Sequence, residues 1–225
     1  TWQVRETATT AGEKLVSIIK AEGVKKLDRV FLTHADQDHV GSLRELAEGL
    51  PIDAVYFPKG AEGNAAFAAV LLELQSQHQV GLFPLLGKVV FHILAPLAPG
   101  EGGNEDSLVI QTSIGGLDWL FTGDLGEEGE EVLMRTYPDL KTDVLKIGHH
   151  GSATSSSEGF LDHVQPELAL ISAGKQNRYG HPDAQILERL ELRNIPIFRT
   201  DRQGAIHFLY GSEETEWRTI LENKK

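Results

Sequence analysis

The stretch Phe31–Ser42, "FLTHADQDHVGS", places four potential metal donors, His34, Asp36, Asp38 and His39, within six residues directly after a β-favouring run. "DRVFL" reads as a strand, and a helix opened at Val40-Gly41 runs through "GSLRELAEGL", so the donors fall in a strand-to-helix loop. Loops of this kind lie at the rim of a sheet, where side chains can converge on a ligand. Imidazole and carboxylate both bind first-row metals. An enclosed cluster of ionised carboxylates is costly without a compensating cation. The competing structural reading is a solvated acidic loop with a helix-capping Asp.

The composition sets bounds around this motif. The 225 residues are read as one domain, 1–225, with 40% hydrophobic and 24% charged residues, enough to bury a sizeable core. The absence of cysteine excludes disulfides, thiolate zinc sites and cysteine nucleophiles. A net charge of -12 argues against non-specific tracking of nucleic acid over the whole surface, so an anionic substrate needs a local positive centre, which bound cations can supply. The sequence has no apolar run long enough to span a membrane and no secretory leader. A start at Thr1 rather than Met raises the expectation that the chain is a piece of something longer.

Ten runs read as strands: "DRVFLT", "DAVYFP", "KVVFHIL", "SLVIQT", "LDWLFTG", "DVLKIG", "LALIS", "IPIFRT", "GAIHFLY" and "TEWRTIL". "AGEKLVSIIKAEG" predicts a helix with Leu15, Ile18 and Ile19 on one face and Gly23 as its stop. "NAAFAAVLLELQSQH", "HPDAQILERLELRN" and the segment Gly126–Arg135 predict three more, and "APLAPGEGGNED" predicts a loop. The mixed order of strands and helices predicts helix-flanked sheets that are not purely parallel.

Further donors stand at strand ends: Asp124 in "LFTGDLG", the pair His149-His150 in "DVLKIGHHGSATS", and His181 in "SAGKQNRYGHPD". With "HADQDH", "NEDSLVI" and "FRTDRQGAIHF", this ordered series from Gly12 to Tyr210 resembles the metallo-β-lactamase superfamily. Within it, the series is similar to the C-terminal domain of ComEC-type DNA-uptake proteins. Asp36 stands where the superfamily signature has a second His, and Asn104 and Ser107 lie where it has a further His ligand. The family also opens with a hairpin that "TWQVRETATTAGEKLV" does not provide, which leaves open whether the first sheet lacks its N-terminal strands.

The resemblance implies an α/β fold, a four-layer αββα metallo-β-lactamase-like sandwich. It implies two divalent metal ions, Mn or Zn. One would be held by His34, Asp36 and one of His149 and His150, and the other by Asp38, His39 and His181, with Asp124 bridging. Seven donors exceed one tetrahedral shell and suit two ions about 3.5–4 Å apart. Replacing an imidazole by Asp36 hardens the donor set and leans away from strict zinc preference. The expected function is metal-dependent hydrolysis, as a nuclease or phosphodiesterase degrading single-stranded DNA through a two-metal-activated water. Asp38, Asp124 and His150 are the expected catalytic positions. The alternatives are a stand-alone hydrolase of a small ester, lactone or phosphodiester, and a fold retained for scaffolding. The expected partners are single-stranded DNA or another phosphodiester and the membrane channel domain of the same parent chain, which places this part at the extracytoplasmic face of the membrane.

Other residues carry two readings. Asn104, Ser107, Ser152 and Asn177 are candidate substrate contacts, against loop capping or plain surface polarity. Gly151 and Ser152 offer backbone N–H groups or a hydroxyl to an oxyanion, and Tyr179 is a substrate contact or an ordinary surface residue. Neighbours on a strand point to opposite faces, so only one of His149 and His150 is a ligand unless the strand has already ended. Lys146 is either a phosphate contact or a snorkelling lysine. His78, His92, His163 and His207 lack metal-like spacing.

Overall fold

A computed structural model describes residues 10–78, 80–85, 92–211 and 215–221. Its contacts form two compact units. One comprises the described residues of Thr1–Leu85 with Gly100–Gly103, the other those of Leu86–Pro99 and Asn104–Lys225.

The first unit runs α1 (Ala11–Ala21), β1 (Leu27–Phe31), α2 (Gln37–Val40), α3 (Leu43–Gly49), β2 (Ile52–Pro58), α4 (Ala65–His78) and β3 (Gly81–Leu85). Thr10 and Glu13 close a reciprocal capping box that starts α1, and Gly23 at φ +80 follows its end. The three strands form a parallel sheet in the order β1-β2-β3. Its core gathers Val16, Leu46, Val55, Phe57, Phe67, Leu71 and Leu74. The face of α1 that packs carries Gly12, Val16 and Ile19. Leu15 and Ile18, expected on that face, are over 40% exposed. The reason is the close approach of α1 to α3, where a Cβ on Gly49 would stand 2.6 Å from Val16 Cγ1. That approach selects the small-residue side of α1 over its bulkier side. The helix expected to open at Val40-Gly41 begins at Leu43 as α3, and a separate helical turn, α2, occupies the end of the expected loop over Gln37–Val40. Asp38 and His39 therefore sit within a helical turn and not in an open loop.

The second unit runs β4 (His92–Ala95), β5 (Val109–Ile114), β6 (Leu117–Phe121), α5 (Glu127–Thr136), β7 (Val144–Lys146), α6 (Glu158–Val164), β8 (Leu168–Ile171), α7 (Ala184–Leu192), β9 (Ile197–Arg199), α8 (Thr200–Gln203), β10 (Ile206–Tyr210) and β11 (Thr215–Thr219). Of the strand expected over "KVVFHIL", the part before His92 lies outside the described residues. Six strands form one sheet in the order β4-β5-β6-β7-β8-β9, antiparallel from β4 to β6 and parallel from β6 to β9. The β10–β11 hairpin brings Phe208 and Trp217 to within 5.2 and 5.5 Å of the Trp119 ring on β6. The core includes Leu120, Leu145, Ile147, Phe160, Ala169 and Ile186.

The order of the parallel strands decides where the chemistry can sit. β6, β7 and β8 are parallel neighbours, so the segments after them emerge at one edge. Those segments carry Asp124, His149-His150 and His181. The crevice outside the carboxyl ends of parallel strands is the usual place for a ligand in an α/β sheet. The mixed α/β architecture with several sheets is the one expected from the sequence.

Candidate metal centre

In the first unit, the donors form two neighbouring pairs. His34 is fully buried, and its Nε2 lies 3.7 Å from Asp36 Oδ2. His39 Nε2 lies 3.9 Å from Asp38 Oδ2. The two imidazole rings are 4.0 Å apart. Asp36 occupies the N-cap position of α2, yet its side chain makes no capping hydrogen bond. The helix-capping reading of Asp36 therefore lacks its defining contact. Thr33 Oγ1 lies 3.1 Å from His34 Nδ1 and 2.9 Å from His39 Nδ1. One hydroxyl oxygen can accept from both Nδ1–H groups, which leaves each ring's Nε2 turned to a carboxylate.

In the second unit, both adjacent histidines lie beyond the end of β7. The strand ends at Lys146, and His149 (φ 46) and His150 (φ 56) both lie in the left-handed region inside the turn Gly148–Gly151. Two consecutive non-glycine residues there cost about 1 kcal/mol or more each. The result is that both rings converge on one carboxylate instead of diverging across a strand. His149 Nε2 is 3.7 Å and His150 Nε2 3.8 Å from Asp124 Oδ2. The His150 Nδ1–H donates to the Ser172 carbonyl at 2.8 Å, which puts the ring's lone pair on Nε2. The His181 ring lies 6.0 Å from that of His149. Burial lowers the His181 pKa, and the neighbouring His149 and His150 push it the same way.

These spacings suit cation binding better than direct pairing. They exceed hydrogen-bond length. Two donors each about 2.1 Å from one ion at a tetrahedral angle stand about 3.4 Å apart. Nitrogen from imidazole and oxygen from carboxylate in each pair is a donor set that Zn²⁺ and Mn²⁺ both accept. The residues of both units thus fit a divalent metal.

The remaining polar residues mostly hold these donors in place. Ser107 is fully buried and its Oγ accepts the Asp124 N–H at 3.1 Å. Asn177 brackets His181, accepting its N–H at 2.9 Å and donating to its carbonyl at 2.6 Å. The Ser152 N–H donates to the His149 carbonyl at 2.8 Å, and its hydroxyl lies 3.0 Å from that of Thr154. Gly151, at φ +86, comes so close to Pro182 that a Cβ would stand 2.6 Å from Pro182 Cβ, and its carbonyl accepts the Asp183 N–H at 2.8 Å. Only glycine fits there, and the contact fastens the turn of His149 and His150 to the His181 loop. Asn104 lines a cleft of about 410 Å³ with Asp124, His149 and Thr154. Enclosure pushes the Lys146 ammonium down to about 8 while Asp124 pulls it up. Lys146 Nζ donates to the Ile147 carbonyl at 2.8 Å.

Several supports carry no signal in the sequence, Glu130 above all. This side chain is 1% exposed and accepts the backbone N–H groups of Ser156 and Ser157, the latter at 2.9 Å. Arg189 donates to the carbonyls of Ser155 and Ser156 at 3.2 Å each, and Ser155 Oγ donates to the Gly148 carbonyl at 2.9 Å. The segment after His149-His150 is thereby clamped from below. Burial raises the Glu130 pKa from 4.5 to about 7. Between those values the native state holds a proton that the unfolded chain has released. Stability of the wild type relative to Glu130→Gln is therefore expected to fall as pH rises from about 4.5 to about 7, by at most about 3 kcal/mol, and to stay level above that. Paired denaturant unfolding from pH 4.5 to 8 measures this. A difference that does not move with pH would show that the ionised carboxylate carries no burial penalty.

Comparison with known proteins identifies the family of the chain. Residues 7–175 match the family model of the metallo-beta-lactamase superfamily. The chain is similar to "ComE operon protein 3" of Bacillus subtilis (strain 168), at 39% identity over 93% of this chain and 28% of that protein. It is also similar to "Competence protein ComA" of Neisseria gonorrhoeae, at 34% identity over 91% of this chain and 28% of that protein. "Recombination protein 2" of Haemophilus influenzae is 28% identical over 90% of this chain and 25% of that protein. The chain thus spans little more than a quarter of the length of these relatives.

Proposed function

Because the chain belongs to the metallo-β-lactamase superfamily and its relatives are competence proteins of ComEC type, we propose that it is the nuclease or phosphodiesterase part of a DNA-uptake protein and hydrolyses single-stranded DNA. The observation that carries the reading is the convergence of His149 and His150 on the buried Asp124 carboxylate at the ends of adjacent parallel strands. In this reading His34, Asp36, Asp38, His39, Asp124, His149, His150 and His181 supply the donors for two divalent ions, Mn or Zn. Two such ions would supply Lewis acidity toward a phosphodiester and an activated water.

The chain's own part is orientation. Thr33 fixes the His34 and His39 rings, the Ser172 carbonyl fixes His150, and Ser107 fixes the backbone of Asp124. Asp38, Asp124 and His150 act at the reacting centre, and Asn104 in the cleft beside Asp124 and His149 can donate to a phosphate oxygen. The channel belongs to the remainder of the parent chain. Among the described residues no helix is long and apolar enough to cross a membrane.

The test is cleavage of a labelled linear single strand with Mn²⁺ or Zn²⁺, alongside a duplex of the same sequence and a small phosphodiester. The single strand is expected to be cut faster than the duplex, which presents a stiff rod to a rim site. A high KM with measurable kcat is expected, because the net charge of -12 repels DNA beyond the site. An intact single strand at high enzyme concentration, with the small diester turned over, would replace the DNA substrate by a small phosphodiester.

A further inference from the structure

The loop from Ser172 to Pro182 differs in charge from the rest of the chain. It holds Lys175 and Arg178 and no acidic residue, in a protein with 33 acidic against 21 basic residues. Both cations are exposed. Between them and the metal-donor residue His181 stands Tyr179, a large aromatic side chain left 63% exposed. Its ring is near-parallel to that of His181, at 16°, with centroids 5.8 Å apart. The Arg178 guanidinium lies 4.6 Å from the Tyr179 ring centroid, and Arg178 also donates to the Tyr179 hydroxyl. The loop is held in this shape. Asn177 ties Gly174 to both the N–H and the carbonyl of His181, and Gly180 turns the chain at φ +74.

An exposed ring held beside His181, with one cation against its face and a second exposed cation in the same loop, matches the chemistry of a single nucleotide, which offers a π-face and an anionic phosphate. We propose that Tyr179 is a stacking platform for a nucleobase next to the phosphate being hydrolysed, with Arg178 and Lys175 contacting the adjoining backbone. This rests on the nuclease reading and adds how the site holds a single strand. An exposed cation–π contact is weaker than base–aromatic stacking, so an arriving base displaces the guanidinium from the ring. The released Arg178 stays within reach of the next phosphate and can pair with it bidentately. A duplex keeps its bases stacked inward and has no base to offer, so the platform favours single strands by mechanism as well as by access.

The experiment compares kcat/KM on two single strands of equal length and charge, one with all its bases and one abasic. Wild type is expected to prefer the base-bearing strand. Tyr179→Ala is expected to lower kcat/KM on that strand roughly 5- to 100-fold and to bring it level with the abasic strand. Tyr179→Trp is expected to restore the preference. The ring's exposure makes a folding failure unexpected, and the thermal midpoint of each variant checks it. Equal losses on both strands, or a base preference that survives in Tyr179→Ala, would overturn the platform while leaving the nuclease reading intact. If wild type cuts neither strand yet turns over bis(4-nitrophenyl) phosphate, the nuclease reading fails and the platform with it.

Discussion

Asp124→Asn is expected to lower hydrolysis on the order of 10³-fold or more while leaving the protein folded. The carboxylate is 4% exposed, and two imidazole nitrogens lie within 3.8 Å of one of its oxygens. Its backbone N–H is fixed by the buried Ser107 hydroxyl, so the side chain enters the site from a rigid strand end. Asn keeps the shape and removes the charge. In the proposed site a cation would lose the carboxylate on which His149 and His150 converge. Several kcal/mol of transition-state stabilisation is the usual contribution of such a metal. Stability should record the same loss. A ligand at 100 times its Kd stabilises the native state by about 2.7 kcal/mol. The melting midpoint of wild type should therefore rise when Mn²⁺ or Zn²⁺ is added after chelation, and that of Asp124→Asn should rise much less. Wild-type turnover in the variant, or equal metal-induced shifts in both proteins, would remove Asp124 from the site.

The candidate donors were legible in the sequence, because each follows a strand and the spacing within "HADQDH" is compact. The strands were legible because apolar runs end at Gly, Asp or Pro. β3 was not. Its "GLFPL" carries Pro84, which removes a ladder donor and reads as a strand breaker. The structure tolerates it because, among the described residues, β3 pairs with β2 alone. α6 was hidden by its length of seven residues and by Gly159 within it. The orientation of His149 and His150 was also beyond sequence. Alternation along a strand predicts opposite faces, and only the left-handed turn after Lys146 reverses that. Least legible were the groups that aim the donors. The Ser172 carbonyl, Glu130 and Arg189 lie 22 or more positions from the residues they hold, and their effect exists only once the sheet has formed. A sequence motif records which atoms can bind a cation, whereas the hydrogen bonds that fix their direction are tertiary.

The two aspartates of the first motif should separate in their effects. Asp38→Ala is expected to abolish hydrolysis, again by about 10³-fold or more, since it removes an anionic donor beside His39 with nothing to replace it. Asp36→His is expected to retain part of the activity and to change the metal preference. Asp36 is more than half exposed and makes no capping bond to α2, so an imidazole can take its place without disturbing the helix start. The substitution leaves a donor near His34 but exchanges a hard, charged oxygen for a softer, neutral nitrogen. Imidazole favours Zn²⁺ over Mn²⁺, whereas carboxylate serves both. The ratio of kcat/KM with Zn²⁺ to that with Mn²⁺ should therefore rise in Asp36→His, and direct metal titration should show the matching change in relative affinity. The chain also becomes less acidic by one unit, which alone would raise affinity for an anionic strand with either metal. Only a change in the ratio between metals reports the donor exchange. Full turnover in Asp38→Ala would contradict its place among the ligands. An unaltered ratio in Asp36→His would place Asp36 outside the coordination sphere and return it to the acidic surface of α2.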